Sequence, residues 1–245
     1  MISRRLLGTS FSFAALLALA VPAGAEEARV HPKAVVELFT SQGCSSCPPA
    51  DALLTRISTG QDVIALAYHV NYWDYVGWPD TFGAEANSDR QRAYAKSWGS
   101  SRIYTPQMVV NGVKGVVGSR ARDVNTALGS ASLPLPVSVS AANNMVAIDI
   151  EGKTGLDNAV VWLVTYVGKA DVVIERGENA GKTMRYTNVV NARQVLGLWE
   201  AQNGAHLKLP LGELLTGQTN GLAVLVQQEH DGLPGAIIGA AAIER

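Results

Sequence analysis

The sequence predicts an α/β domain followed by a mostly antiparallel, β-sandwich-like domain. Strand, helix and strand patterns alternate over residues 34–70, as in a βαβ unit with a right-handed crossover. Ser130-Ala131-Ser132-Leu133-Pro134-Leu135-Pro136 then reads as a linker. Beyond it, short strand patterns separated by Gly, Asn and Asp turns replace the helices, which is the pattern of a sandwich.

The chain opens with Arg4 and Arg5, an apolar run from Phe11 to Val21 broken only by Ser12, and the small triplet Ala23-Gly24-Ala25. That order predicts an export signal over 1–25, cleaved after Ala25. The apolar run is too short for a spanning helix, which needs about 20 residues. The expected location is periplasmic or secreted. Ser3-Arg4-Arg5-Leu6-Leu7 leaves the general and the twin-arginine export routes both open. Cleavage removes Arg4 and Arg5 and no acid, taking the formal charge from −1 to −3. Neither nucleic acid nor stable membrane insertion is expected of such a chain.

The first domain is expected over 30–132. Ala34 to Thr40 reads as a buried strand, and Ser41-Gln42-Gly43 turns into Cys44-Ser45-Ser46-Cys47-Pro48-Pro49. A helix follows to Ile57, with Ala50, Leu53, Leu54 and Ile57 at three-to-four spacing. Proline in the first helical turn loses no intrahelical bond, so Pro48 and Pro49 mark its start. A residue before proline avoids helical torsions, which puts Cys47 at the helix edge. Asp62 to Val70 is the second strand.

An aromatic-rich insertion spans 71–105. Nine of the chain's sixteen aromatic residues fall between Tyr68 and Tyr104. Its middle, Gly83 to Gly99, reads as a polar helix with Arg90 and Arg92 on a solvated face. Gln107 to Asn111 is a third strand. Asn111-Gly112 is a tight turn, and Lys114 to Gly118 is the hairpin partner. Ser119 is the expected N-cap of a helix through Leu128, closed by Gly129.

In the β-rich domain, 134–245, candidate strands are 136–142, 145–151, 158–167, 171–175, 206–211, 221–228 and 236–243. Residues 187–200 form a strand or a short helix. Glu175-Arg176-Gly177-Glu178-Asn179 reads as a charged turn.

The chain has two cysteines, three positions apart. A bridge across so short a loop constrains the unfolded chain little, so the spacing favours chemistry over stapling. Cysteine reacts as the thiolate, and a helix N-terminus lowers its pKa. On this reading Cys44, first and more exposed, is the nucleophile, and Cys47 is the resolving thiol. Two rivals stand beside it: a Cys2His copper site completed by His69, and a passive disulfide in a secreted binding module.

These features together resemble the thioredoxin superfamily: the strand at 34–41, Cys44-x-x-Cys47 opening a helix, the strand at 62–70, and Tyr104-Thr105-Pro106-Gln107-Met108-Val109-Val110-Asn111-Gly112. In that superfamily a cis-proline precedes the third strand and faces the C-x-x-C pair. The resemblance therefore implies a thioredoxin-like first domain with Thr105 and Pro106 in the site. A closer likeness covers most of the chain after the signal. The run from Val36 to Asp51 and the run Tyr68-His69-Val70-Asn71-Tyr72-Trp73-Asp74-Tyr75-Val76-Gly77-Trp78 resemble the two signatures of a family of secreted bacterial proteins known as a domain of unknown function.

The expected activity is that of an exported thiol–disulfide oxidoreductase needing no cofactor or metal. Its partners would be protein or small-molecule thiols and disulfides. Tyr72, Trp73, Trp78 and Tyr104 would form an aromatic wall beside Cys44 that selects them. Gly43 stands where thioredoxins carry an aromatic residue, and Ser45-Ser46 separates the cysteines. That dipeptide tunes redox poise, so oxidase, reductase and isomerase directions are all open.

Overall fold

A computed structural model of the chain describes residues 27–29 and 31–244. The expected export signal and its cleavage site lie outside the described residues. The first half runs β1 (Glu27–Arg29), β2 (Ala34–Thr40), α1 (Pro48–Ser58), β3 (Val63–His69), α2 (Glu85–Ser97), β4 (Gln107–Val110), β5 (Lys114–Val117) and α3 (Ala121–Gly129). The second half runs β6 (Ser138–Ala142), β7 (Met145–Ile150), β8 (Ala159–Val173), β9 (Thr183–Trp199), β10 (Ala205–Pro210), α4 (Leu211–Leu214), β11 (Gly221–His230) and β12 (Leu233–Glu244).

β2 lies parallel to β3 and antiparallel to β4, and β4 pairs with β5 as a hairpin. Both β2 and β3 are buried along their whole length, which is why they read as continuous apolar runs. α1 and α3 cover one face, where Val36, Leu38, Leu54, Met108 and Val124 meet. α2 covers the other, where its Tyr94 meets Val35, Phe39, Leu66 and Tyr68.

Hydrogen bonding does not stop at the linker. One nine-stranded sheet runs β1-β12-β11-β8-β9-β3-β2-β4-β5. Its two halves join at β3 and β9, parallel neighbours that share a single residue pair, Ala67 with Val189. The Asn188 side chain donates across the join to the Ala65 carbonyl. The small sheet β10-β7-β6 packs on the second half as another layer, over a core that includes Val146, Ile148, Val161, Trp199 and Val224.

Several local expectations are corrected. The strands expected at 158–167 and 171–175 are one strand, β8, carried through register shifts against β9. Of the two alternatives for residues 187–200, the strand is found: residues 187–199 lie in the long strand β9. Helix α3 has Arg120, not Ser119, at its N-cap. Arg90 is not solvated. It is 4% exposed and donates to Glu37 at 2.7 Å, while Tyr94 also donates to Glu37. Gln227 of β11 accepts from Arg90 and donates to the Tyr94 hydroxyl, tying the two halves together. At the β4–β5 turn, Gly112 has φ +71°, and a Cβ there would lie 2.3 Å from the Gly235 carbonyl. Only glycine fits that approach.

Candidate functional site

The site forms where β2 and β3 end side by side, at Thr40 and His69. Loops at this edge of a parallel pair are where open α/β sheets bind ligands. Cys44 and Cys47 are joined by a disulfide, with Cα atoms 5.4 Å apart. Cys47 is the N-cap of α1, with Pro48 and Pro49 at the first positions. It takes helical torsions, φ −79° and ψ −35°, despite preceding proline. Its carbonyl accepts from the N–H groups of Ala50 and Asp51.

Both cysteines are fully buried, at 0% exposure. The expectation that Cys44 is the more exposed of the two is therefore corrected: Ser45 and Ser46 face solvent instead. The reason is the number of groups that clamp the preceding loop. The Gln42 N–H donates to Asp80, its amide donates to Thr81, and Trp78 Nε1 donates to its side-chain carbonyl. Gly43 lies against Trp73 and Val76, and a Cβ there would meet them at 3.0–3.2 Å. This accounts for glycine at 43. From the second half, Asn179 is fully buried and donates to the carbonyls of Gln42 at 2.9 Å and Cys44 at 3.1 Å. Ser46 Oγ is 3.5 Å from Cys44 Sγ.

A polar cluster lies under the loop. Asp51, one turn past Cys47, is 5% exposed and accepts from Thr40 Oγ1 at 2.8 Å. Burial pushes its carboxyl up to about 7, against the opposing effects of His69 and the Thr40 hydrogen bond. His69 Nδ1 contacts both oxygens of Asp80, at 3.1 and 2.8 Å. Burial acts to raise Asp80, but His69 and the Gln42 and Phe82 N–H groups outweigh it and hold Asp80 below the usual range. Tyr186 of β9 meets the His69 ring edge to face at 4.6 Å. Asp51 Oδ2, His69 Nε2 and the Tyr186 hydroxyl are buried without a partner. Thr187, next to Tyr186, bonds Thr55 of α1 through their hydroxyls.

The Thr105–Pro106 bond is cis. The antiparallel register pairing Phe39 with Gln107 sets buried Pro106 opposite Thr40, at the end of β2 that leads to Cys44. Trp73 links this segment to the cysteine loop: its Nε1 donates to Thr105 Oγ1 at 2.7 Å, and its Cβ side borders Gly43. Of the other three expected wall residues, Tyr72 lies beside Trp73, with ring centroids 6.4 Å apart, and Gln91 of α2 links it to the Tyr104 carbonyl. Trp78 packs toward Tyr186 and Ile174, and Tyr104 is 37% exposed. Among the described residues the most exposed ring is Tyr75, at 81%, stacked on Trp73. Among the described residues, no group of three His, Cys, Asp or Glu side chains is placed to hold a metal ion, and His69 is turned to Asp80.

Sequence reasoning gave no role to Asp51, Asp80, Tyr186 or Asn179. Asp51 carried a signal, an acid among the apolar positions of α1. Asn179 carried none, because its role depends on a contact 135 residues away.

The model of a family described as a protein of unknown function (DUF1223) matches residues 35–227. The chain belongs to the DUF1223 family. Its fold is similar to the X-ray structure of a protein from Agrobacterium tumefaciens. The TM-score is 0.78 at 35% identity, over 87% of this chain and 95% of that one. No curated protein matches the sequence. Among the described residues of this DUF1223 protein, no helix is long and apolar enough to cross a membrane.

Proposed function

We propose that this DUF1223 protein is an exported thiol–disulfide oxidoreductase whose first half is a thioredoxin-like domain. The observation that carries the reading is the Cys44–Cys47 disulfide at the start of α1 with the Asp51 carboxyl buried one turn below it. A passive staple gains little from so short a loop and has no use for a buried acid that titrates near neutrality. The order β3-β2-β4-β5 and the position of Pro106 opposite Thr40 also support it.

In the reducing direction, the Cys44 thiolate attacks a substrate disulfide and forms a mixed disulfide, and one substrate sulfur leaves as a thiolate. Helix α1 and the Ser46 hydroxyl stabilise the Cys44 anion. Cys47 then gives its proton to Asp51 and attacks Cys44 Sγ. The second substrate thiol departs, and two electrons have passed from the cysteine pair to the substrate. Helical side chains lean toward the N-terminus, which directs Asp51 toward Cys47. The reverse sequence oxidises a substrate dithiol. The Trp73–Tyr75 stack offers partners an apolar surface beside Gly43.

The test is a redox titration of the purified protein, with trapping by Cys47→Ser. A reversible two-electron couple, and mixed disulfides that accumulate through Cys44 in Cys47→Ser but not in Cys44→Ser, are expected. A pair that never opens in the folded protein, or equal trapping by both variants, overturns the reading.

A further inference from the structure

Within the large sheet the two halves share one ladder pair, Ala67 with Val189, and beside that join the α2-facing side of the sheet is incompletely filled. A cleft of about 340 Å³ opens between the first turn of α2 and strands β8 and β9. That volume is near the lower end for small-molecule sites. Its floor and walls include Phe82, Ala84, Val167 and Val189, with Tyr68, Arg90 and Arg193 supplying polar groups.

The charges around the cleft do not balance. Arg90 and Arg193 lie close enough to influence each other, and the carboxylate that acts on Arg193 is Glu37. Glu37 is already engaged by Arg90 and Tyr94. The ion pairs among the described residues leave Arg193 out. Its Nε is buried with no hydrogen-bond partner, and its guanidinium stacks on Trp162 at 3.4 Å from the ring centroid. Burial and the neighbouring Arg90 push Arg193 down to about 10, so it stays charged at neutral pH. The Tyr68 hydroxyl, on a residue 1% exposed, lies near the Glu37 carboxylate but makes no hydrogen bond of normal length. A buried guanidinium N–H and a buried hydroxyl, each without a hydrogen bond, are costly unless something is bound there.

We infer that this cleft binds a small organic monocarboxylate, received by Arg193 and the Tyr68 hydroxyl, with a short apolar tail against Val167, Val189 and Phe82. A single surplus positive charge matches a monoanion, whereas a phosphate dianion would be left half neutralised. Guanidinium geometry suits a carboxylate, and the N-terminal turn of α2 adds the positive end of a helix. The inference does not depend on the chemistry of the disulfide.

The test uses the full mature chain, with butyrate, acetate and inorganic phosphate as probes in calorimetric or NMR titrations. Saturable one-to-one butyrate binding is expected, tighter than acetate or phosphate. Arg193→Met should weaken it by about tenfold or more, since a charge-assisted bond is lost. Tyr68→Phe removes only a hydroxyl, keeps the packing, and should weaken binding severalfold; it provides the reading if Arg193→Met does not fold. Absence of saturable butyrate binding, phosphate binding tighter than butyrate, or affinity unchanged in the folded variants overturns the inference.

Discussion

Asp51 and Asn179 are the two residues on which the site's chemistry turns. Asp51 titrates near 7 in the folded chain and near 3.8 as an ordinary carboxyl. Between those values the folded state holds a proton that the unfolded state has lost, so this group makes stability fall as pH rises from about 4 to about 7. Above that window both states are ionised and the effect is constant. Asp51→Asn should therefore become more stable relative to wild type as pH rises through the window, as read by urea unfolding at several pH values. It should also slow the resolving step near neutral pH. A pH-independent difference between the two proteins would remove Asp51 as the titrating group. Asn179 holds two carbonyls of the cysteine loop. Asn179→Ala should free that loop, costing about 1–3 kcal/mol and speeding reduction of the disulfide by dithiothreitol severalfold. An unchanged reduction rate would show that the clamp does not control access.

At the scale of elements, the segment of the insertion that precedes α2 and the β8–β9 hairpin enclose the cysteine loop from two sides. Trp73 and Trp78 are tied into this enclosure by their indole N–H groups, whereas Tyr75 projects from it. Tyr75→Ala should leave stability within about 0.5 kcal/mol, as for other exposed substitutions. It should slow reaction with a protein disulfide more than with a small one. Equal slowing of both would argue against a recognition surface. Trp73→Ala should lower stability instead, because it removes the bridge between Gly43 and Thr105. The aromatic excess was visible in the composition, but its division into anchoring and exposed rings was not. A strand-to-helix insertion has no periodicity that says which side of each ring meets protein.

For the whole molecule, the buried network of Glu37, Arg90, Tyr94 and Gln227 locks the two halves of the sheet together. Glu37→Gln would leave the buried Arg90 guanidinium without its carboxylate. Loss of one partner of a buried pair costs about 3–5 kcal/mol, so its urea midpoint should fall sharply, with both halves unfolding together. Two separate transitions, with only one shifted, would show that the network does not couple them. A lone acid in the apolar run of β2 hinted at a buried partner. Nothing local could name Arg90, on a helix whose composition reads as polar.

What the sequence by itself determined is local. The two buried parallel strands, the cysteine pair opening a proline-started helix, the Asn111-Gly112 turn and the strand-rich second half follow from periodicity, turn chemistry and backbone constraints within a few residues. What only the tertiary structure decided is everything carried by contacts across the chain: the burial of Cys44, the clamp by Asn179, the enclosure of Asp51 beside His69 and Asp80, and the continuity of one sheet through both halves. Side-chain burial, and with it a shifted pKa, depends on which distant strand packs above a loop, and residue spacing holds no record of that.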